Sequence, residues 1–378
     1  MPRSFVAIFC VLFFIWCILD EPLSAQDSTP QPGREEPSRQ NDKDRNRLLK
    51  KYDKDGDGKI SSAEIQAVRR ERRRSRPPLP PANFADVSYG KHPHQKLDLW
   101  LAKSSKPTPL VVHFHGGGFA GHSGSRHSLN RELLAACLKA GISVATADYR
   151  VTEDATLPIP MHDAARSIQF LRYHAKKYKL DPRKVAAHGG SGGGGISLWL
   201  AYHDDLADSA SDDPIKRQSS RLTCAVVRGA QTSYDPRFID KLFSKRDLWS
   251  DTENLGRLSR FYGLAKDEIK TERAYKLYEE AAPITHVSVG DPPVYMFYGV
   301  PDGPVTEDTP QGIWVHHPRF AEPLKQKAES LKLELVVKLA KDYPKGGSKV
   351  VTADMIAFLK RHFDAVDLPT TMPRTEGN

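Results

Sequence analysis

Short apolar segments alternate with helical segments over most of the chain, and this alternation constrains the fold more than any other feature. Several apolar segments are continuous, for example Leu110–Val112 and Pro293–Phe297, as expected for strands buried on both faces. Strands that alternate with helices indicate a mostly parallel sheet with helices on both faces. The sequence therefore predicts an α/β fold, with strands at 96–102, 109–114, 142–148, 184–188, 224–228, 293–298 and 333–339, and helices at 160–178 and 351–363.

A glycine-rich pentapeptide, Gly189–Gly193, has Ser191 at its centre. It follows the strand predicted at 184–188 and precedes an apolar helical stretch, the context in which Gly-x-Ser-x-Gly forms a nucleophile elbow. Glycines flank the serine because this strained turn leaves no room for side chains, and the turn lifts the hydroxyl to the carboxyl edge of the sheet. The helix N-terminus that follows favours developing negative charge. Ser191 is therefore the predicted nucleophile.

A second glycine cluster, His115–Gly118, follows the strand predicted at 109–114. The N–H groups of Gly117 and Gly118, together with that of Gly192, are predicted to hold the oxyanion of a tetrahedral intermediate. Each glycine cluster alone would be a common turn. Because each follows its own strand and they occur in this order, together they predict an α/β-hydrolase fold.

With these motifs, the stretch from about Phe84 to Phe363 resembles the esterase and lipase branch that includes hormone-sensitive-lipase-like and feruloyl-esterase-like enzymes. The marks of the resemblance are the loop His115–Gly118, Asp148-Tyr149-Arg150 after a strand, Asp181-Pro182-Arg183 before the nucleophile strand, and the elbow at Ser191. The resemblance implies cleavage of carboxylic esters, often acyl groups on sugars or plant polysaccharides, with no cofactor for catalysis. It also implies an acid after the strand predicted at 293–298 and a histidine after the last strand.

The acid position is occupied, but the base position is not. Asp302, in Val300–Gly303, matches the acid of the family, with Glu307 and Asp308 as alternates close behind it and an ordinary turn residue as the other interpretation. The loop after the last predicted strand, Ala340–Gly347, contains no histidine. A serine hydroxyl is a poor nucleophile near neutral pH unless a base takes its proton, so this gap bears directly on activity.

Two adjacent histidines are candidates for a relocated base. His316 and His317 lie in the long loop after the Asp302 strand, at the same carboxyl edge as Ser191, and a loop or capping role is the alternative for both. His362 lies in the final predicted helix between charged residues and is expected at the surface. We therefore predict that Ser191, Asp302 and either His317 or His316 form the catalytic group.

A separate motif precedes the hydrolase segment. Residues 53–64 resemble the EF-hand calcium loop, which has oxygen ligands at positions 1, 3, 5, 7 and 12 and a turning glycine at position 6, here Gly58. A solvated Asp/Gly-rich turn is the alternative, but it does not explain why every ligand position is filled in order. The predicted calcium ligands are Asp53, Asp55, Asp57, Lys59 and Glu64.

The N-terminus predicts export to the periplasm or the extracellular space. Met1–Arg3 is positively charged, Phe5–Leu19 is apolar, and Leu23–Ala25 has the small-residue pattern that a signal peptidase reads. An uncleaved anchor is the alternative, although the apolar run falls short of the roughly 20 residues that span a bilayer. Removal of the signal would leave Cys137 and Cys224, between which no essential disulfide is expected.

The formal net charge of +9 is concentrated in six arginines between Arg69 and Arg76. No nucleic-acid partner is expected for an exported chain without a recognition module; the alternatives are a solvated arm and a contact with a polyanion or the cell envelope. The predicted order of segments is a signal peptide at 1–25, a disordered tether at 26–45, the EF-hand at 46–70, an Arg/Pro-rich linker at 71–82, the hydrolase domain at 83–365 with a helical insertion at 231–283, and a flexible tail at 366–378.

Two functions fit these observations. The first is an exported serine hydrolase that cleaves carboxylic esters, with a small ester or an acylated carbohydrate as substrate. The alternative is a catalytically degenerate module of the same fold that binds a carbohydrate or a partner, which the missing histidine favours. The distance from the Ser191 hydroxyl to the nearest imidazole distinguishes them, because a general base must lie within hydrogen-bond reach. Calcium-dependent assembly through the EF-hand and the arginine run is compatible with either.

Overall fold

The computed structural model describes residues 78–120, 125–243, 259–306, 309–343 and 347–366, together with single positions between 49 and 71 and at 256. An eight-stranded sheet is at its centre, with the strand order β1-β2-β4-β3-β5-β6-β7-β8. The strands are β1 (Phe84–Ser88), β2 (Lys96–Trp100), β3 (Thr108–Phe114), β4 (Ser143–Ala147), β5 (Leu180–Gly190), β6 (Cys224–Arg228), β7 (Val294–Tyr298) and β8 (Leu335–Leu339).

The sheet is parallel from β4 to β8 and antiparallel at the β1–β2 and β2–β4 pairs. Each of the predicted strands is present. The sequence did not indicate β1, an edge strand of mixed exposure whose pairing with β2 is interrupted by an irregularity between Phe84 and Val87. A short strand without a buried face lacks the continuous apolar run that identified the others.

Helices cover both faces of the sheet, as the alternation predicted. They are α1 (Arg131–Lys139), α2 (Ile159–Tyr173), α3 (Ala175–Tyr178), α4 (Gly192–Tyr202), α5 (Pro236–Phe243), α6 (Glu272–Ala281), α7 (Pro283–His286), α8 (Gln311–Trp314), α9 (Ala321–Ser330) and α10 (Gly347–Ala365). Short 3₁₀ turns lie at Arg126–Ser128, Pro318–Phe320 and Ala340–Asp342.

Successive residues of the central strands point into two separate cores. Leu110 and Val112 pack with α2 and α4 on one face, whereas Val111 packs with α1 and α10 on the other. Because both faces are covered, consecutive positions at the centre of such a strand are apolar, which accounts for the continuous runs in the sequence. Cys137 and Cys224 are both buried thiols in the second core, and burial raises the pKa of Cys137 to about 12.

Several predicted segments lie outside the described residues: the signal peptide, the tether, the arginines of the run between 69 and 76, and the tail after residue 366. The predicted insertion at 231–283 includes α5 and α6, and its positions 244–255, 257 and 258 also lie outside the description. Within the described part of the chain, no helix is both long and apolar enough to cross a membrane.

Candidate active site

The nucleophile elbow has the geometry that the sequence predicted. Strand β5 ends at Gly190, helix α4 begins at Gly192, and Ser191 between them has φ 54° and ψ −126°. This conformation is strained for a residue with a side chain. The Ser191 N–H donates to the carbonyl of Arg228 over 2.9 Å, which fixes the turn against β6. A Cβ atom at Gly189 would collide with the backbone of Gly193, so the crossing of strand and helix requires glycine.

An imidazole lies within hydrogen-bond reach of the serine. The Nε2 atom of His316 is 2.9 Å from the Ser191 Oγ atom. The Nδ1 atom of His316 is 2.9 Å from the carbonyl oxygen of Gly312. A carbonyl oxygen can only accept, so Nδ1 carries the hydrogen and Nε2 presents its lone pair to the serine hydroxyl. This is the tautomer that a general base requires.

The neighbouring histidine, His317, bonds the backbone and not Ser191. The Nε2–H of His317 donates to the carbonyl of Gly303 over 2.8 Å, and its Nδ1 accepts from the N–H of Arg319 over 3.1 Å. Both ring nitrogens are thus bonded to backbone, and the side chain caps the 3₁₀ turn at Pro318–Phe320. Of the two histidines named as candidates for the base, His316 is the one that the structure brings to Ser191.

The predicted acid lies beside the other histidine. Burial lowers the pKa of His317, while the bond to Gly303 and the carboxylate of Asp302 oppose that shift. Among the hydrogen bonds of the described residues, Asp302 is not a partner of His316, whose Nδ1–H donates to Gly312. The alternates Glu307 and Asp308 lie outside the described residues. Among the described residues, the Nδ1–H of His316 thus bonds the backbone of Gly312 and not Asp302.

Gly229 and Gly312 belong to the site, although the sequence did not single them out. Gly229 follows β6 with φ 52°, and a Cβ atom there would lie 3.3 Å from Cδ2 of His316. Gly312 lies one helical turn before His316, so its carbonyl points along the chain toward the imidazole. The four-residue spacing between Gly312 and His316 is the only sign of this bond in the sequence.

The predicted oxyanion loop lies against the elbow. Gly117 and Gly118 have positive φ angles of 118° and 62°, and Phe119 follows with 61°. The amide nitrogens of Gly118 and Phe119 are each 3.5 Å from the point where a Cβ atom on Gly192 would stand. The loop thus brings N–H groups beside the first turn of α4. The amide of Phe119 lies as close to this turn as that of Gly118, although the glycine pattern did not indicate it.

The triplet Asp148-Tyr149-Arg150 braces this loop. The Tyr149 hydroxyl donates to the carbonyl of His115 over 2.6 Å, and the two rings stack with centroids 4.3 Å apart. Arg150 donates to both carboxylate oxygens of Asp163, over 2.8 and 2.6 Å. Tyr149 therefore holds the predicted oxyanion loop at His115, while Arg150 is tied to Asp163 of α2.

Two buried histidines lie on adjacent strands behind the elbow. The Nδ1 atoms of His113 on β3 and His188 on β5 are 2.8 Å apart. Burial lowers the pKa of His188 to about 3, assisted by the positive charge of Arg228, and burial also lowers the pKa of His113. Both rings are therefore neutral near pH 7 and serve as packed parts of the sheet.

The predicted calcium ligands are described in part. The ligand oxygens of Asp53, Asp55 and Glu64 lie within 4.8 Å of one another. Asp53 also accepts from the N–H groups of Gly56 and Gly58 over 2.7 and 3.0 Å, which curls the loop around its carboxylate. Asp57 and Lys59 lie outside the described residues. The described donors are hard carboxylate oxygens, the type that calcium prefers.

A mostly parallel sheet whose elbow serine meets an imidazole beside a glycine-rich loop defines the α/β-hydrolase class. The BD-FAE family model matches residues 97–311, which is more than half of the chain. The chain belongs to the BD-FAE family, an esterase family with this fold. His316 lies just beyond the matched range.

Curated relatives carry esterase names. Esterase LipC of Mycobacterium tuberculosis (strain ATCC 25618 / H37Rv) is 26% identical over 220 residues, covering 57% of this chain and 50% of the relative. The probable isoprenylcysteine alpha-carbonyl methylesterase ICMEL1 of Arabidopsis thaliana is 24% identical over 252 residues, covering 66% of this chain and 48% of the relative. The chain thus spans about half the length of these relatives. The prediction of a carboxylesterase-like hydrolase is confirmed at the level of the family.

Solved structures share the fold. A truncated carbohydrate esterase from gut microbiota superposes with a TM-score of 0.58 at 18% identity, covering 75% of this chain and 99% of the other. An acetyl ester-xyloside bifunctional hydrolase from Caldicellulosiruptor lactoaceticus gives a TM-score of 0.54 at 20% identity, covering 75% and 97%. These likenesses confirm the predicted α/β architecture of the hydrolase domain.

Proposed function

We propose that this chain is a serine hydrolase that cleaves carboxylic esters. The observation that carries the proposal is the 2.9 Å contact between Ser191 Oγ and His316 Nε2, with the imidazole held in the tautomer of a base. The non-catalytic alternative depended on a missing histidine, and the position of His316 removes that reason. Family membership and the esterase names of the relatives support the same reaction.

The proposed reaction follows from the positions of these groups. His316 Nε2 takes the hydroxyl proton of Ser191 as Oγ attacks the carbonyl carbon of the ester, which forms a tetrahedral intermediate. The amides of Gly117, Gly118 and Gly192, with that of Phe119 beside them, stabilise its negatively charged oxygen. The imidazolium then protonates the leaving alcohol as the C–O bond breaks. Water, activated by His316, hydrolyses the acyl-enzyme and restores Ser191.

The carbonyl of Gly312 performs the orienting role that a carboxylate has in most serine hydrolases. It fixes the ring and the tautomer of His316, but a neutral carbonyl stabilises the imidazolium less than a carboxylate does. An additional acid is therefore expected to matter. We propose that Glu307 or Asp308 is a better candidate for this acid than Asp302, whose charge acts on His317.

A fluorophosphonate probe tests the proposed nucleophile. The purified chain should be labelled at Ser191, and Ser191→Ala should abolish both labelling and ester hydrolysis while the circular dichroism spectrum is unchanged. Ser197→Ala is a matched control, because Ser197 is buried in the same helix and its hydroxyl donates to the Gly193 carbonyl. Absence of labelling in the wild-type chain, under conditions that label a known esterase, would refute the proposal.

We propose a small ester or an acylated carbohydrate as the substrate. The structural relatives named as a carbohydrate esterase and an acetyl ester-xyloside hydrolase support the carbohydrate class. Phe119 packs beside Gly192 and against Tyr234 and Phe261, with ring centroids 5.4 and 5.6 Å away, so aromatic rings fill the space beside the elbow. A short acyl group fits such a site better than a long one. Rates on acetate, butyrate and octanoate esters test this, and a preference for octanoate would contradict it.

We also propose that residues 53–64 bind calcium in a structural or tethering role. The convergence of Asp53, Asp55 and Glu64 supports this proposal. Calorimetric titration should give one calcium per chain in the wild type and none in Glu64→Gln, which removes one charge and the bidentate ligand. Equal binding by both chains would contradict it. Light scattering with calcium and with chelator tests whether the loop also mediates assembly.

We propose further that the chain is exported and that the arginines between Arg69 and Arg76 contact a polyanion or the cell envelope. The signal pattern of residues 1–25 and the density of positive charge support these two proposals. N-terminal sequencing of the protein recovered from its host should begin near residue 26. Retention of Met1 would contradict cleavage, and salt-independent elution from heparin would contradict the polyanion contact.

A further inference from the structure

Two histidines and a glutamate meet at the end of helix α4 that lies opposite Ser191. His203 follows the last residue of α4, Glu280 lies in α6, and His286 ends α7. One ligand atom from each of these side chains lies within 4.8 Å of the others. The proposed ester chemistry uses none of these residues. Because they come from three segments, the cluster joins the helix that begins at the elbow to the α6–α7 region.

Backbone carbonyls fix the tautomer of both rings. The Nδ1–H of His203 donates to the carbonyl of Asp204 over 2.9 Å, and the Nε2–H of His286 donates to the carbonyl of Glu280 over 2.8 Å. A carbonyl oxygen only accepts, so each of these nitrogens carries a hydrogen. In neutral rings, Nε2 of His203 and Nδ1 of His286 therefore keep their lone pairs.

One of these lone pairs faces a carboxylate. His203 Nε2 is 3.3 Å from Glu280 Oε1. Two acceptors at this distance repel one another unless a proton or a metal ion stands between them. A histidine that donates its second ring N–H to a backbone carbonyl while its other nitrogen faces a carboxylate has the arrangement of a metal ligand. Two atoms bound tetrahedrally to zinc at 2.0–2.1 Å are separated by roughly 3.3 Å.

The surroundings hold the ligands in place and leave them accessible. The His203 ring packs on Trp199 with centroids 4.0 Å apart, and Trp199 Nε1–H donates to the Glu280 carbonyl over 2.9 Å. The side chain of His203 is 14% exposed and that of Glu280 is 41% exposed. An ion can therefore reach the cluster from solvent without rearrangement of the core.

We propose that His203, Glu280 and His286 bind one divalent transition-metal ion, zinc, with water in the fourth position. Imidazole nitrogens with a carboxylate are ligands that suit zinc. Bound zinc ties the end of α4 to α6 and α7, and it stabilises the folded chain by an amount that grows with the logarithm of the zinc concentration above its dissociation constant. It does not depend on the proposed ester hydrolysis.

Calorimetric titration of Zn²⁺ into the chelator-treated full chain tests this site, with excess calcium present to occupy residues 53–64. The wild type should bind zinc with one site that His203→Gln and His286→Gln lose, and Glu280→Gln should weaken binding at least about tenfold. Zinc at 100 times its dissociation constant should raise the wild-type Tm by on the order of 5 °C.

A second histidine cluster supplies the matched control. His92, His94 and Asp154 also lie close together, and His94 is 48% exposed and bonds Asp154 over 2.7 Å. His94→Gln should bind zinc at the His203 cluster as the wild type does. Absence of zinc binding in the wild type, unchanged binding in Glu280→Gln, or loss of binding in His94→Gln would each overturn the proposal. Glu280→Gln is decisive if a histidine variant does not fold, because its side chain is partly exposed and its change is isosteric.

A spectroscopic measurement distinguishes a metal ion from a proton between His203 Nε2 and Glu280 Oε1. Co²⁺ in place of Zn²⁺ should give visible absorption bands of a tetrahedral site in the wild type, and in Glu280→Gln the same bands should require at least about tenfold more Co²⁺. If His203 is simply protonated and paired with Glu280, neither chain should give the bands, and the proposal fails.

Discussion

Replacing His316 with glutamine removes the imidazole that lies 2.9 Å from Ser191 Oγ and leaves an amide that cannot take the serine proton. General-base catalysis contributes about 100-fold to 10,000-fold, and loss of the base of a serine hydrolase costs more when the nucleophile depends wholly on it. The tautomer of His316 is already fixed by Gly312, so the wild-type imidazole needs no tautomer change before it takes the serine proton. We expect kcat/KM to fall at least about 1,000-fold, which corresponds to about 4 kcal/mol of transition-state stabilisation.

Initial rates on an acetate ester, corrected for folded protein by circular dichroism, measure this effect. His317→Gln is the matched control, because it makes the same change one residue along the chain. The His317 ring bonds only backbone in the described structure, so its loss should lower stability by about 1–3 kcal/mol and leave the rate of the folded protein within about tenfold of wild type. Equal loss of rate in both variants, or a His316→Gln rate above about a tenth of wild type, would refute the reasoning.

Three further predictions concern the surroundings of the site. Asp302→Asn should lower kcat/KM less than about tenfold, because its charge acts on His317, and a loss as large as that of His316→Gln would restore Asp302 as the triad acid. Gly229→Ala should lower kcat about tenfold or more by displacing His316, whereas Gly141→Ala, which also has a positive φ but has open space around its Cβ position, should affect stability alone; equal kcat values would contradict this. Because the pKa of His188 is low in the folded chain, the unfolded chain binds a proton on this imidazole between about pH 6.5 and pH 3 and the folded chain does not. The contribution of His188 to stability is therefore present above about pH 6.5 and falls as the pH drops toward 3, by about 2 kcal/mol between pH 7 and pH 5. Urea unfolding at several pH values should show this pH dependence in the wild type and not in His188→Asn.

The sequence predicted an element correctly where the structure accepts only one type of residue at a position. The continuous apolar run Leu110–Val112 of β3 could be assigned because both faces of that stretch are buried against helices, and the elbow could be assigned because its backbone crossing admits only glycine. Strand β1 was not predicted because it lies at the edge of the sheet and has no apolar run.

The choice between His316 and His317 could not be made from sequence for a different reason. The two residues are adjacent, and their side chains diverge because α8 ends at Trp314 while the next 3₁₀ turn begins at Pro318. Which ring faces Ser191 thus depends on how the chain turns between two short helices. The hydrogen bond that orients His316 could not be predicted either, because its acceptor is the backbone carbonyl of Gly312 and every residue has a carbonyl group.

The bond between His316 and Gly312 makes the base and its support parts of one hexapeptide, residues 311–316. In an arrangement where the base follows the last strand, the far edge of the sheet is tied to the chemistry. In this chain the loop after β8 does not supply the proposed base. Tyr343, which follows β8, bonds Tyr295 and Asp354 as part of the packing. The proposed base is thus carried by one short helix. A displacement of α8 would move the imidazole away from Ser191 without changing its tautomer, so the proposed activity would be lost or regained while the sheet stays intact.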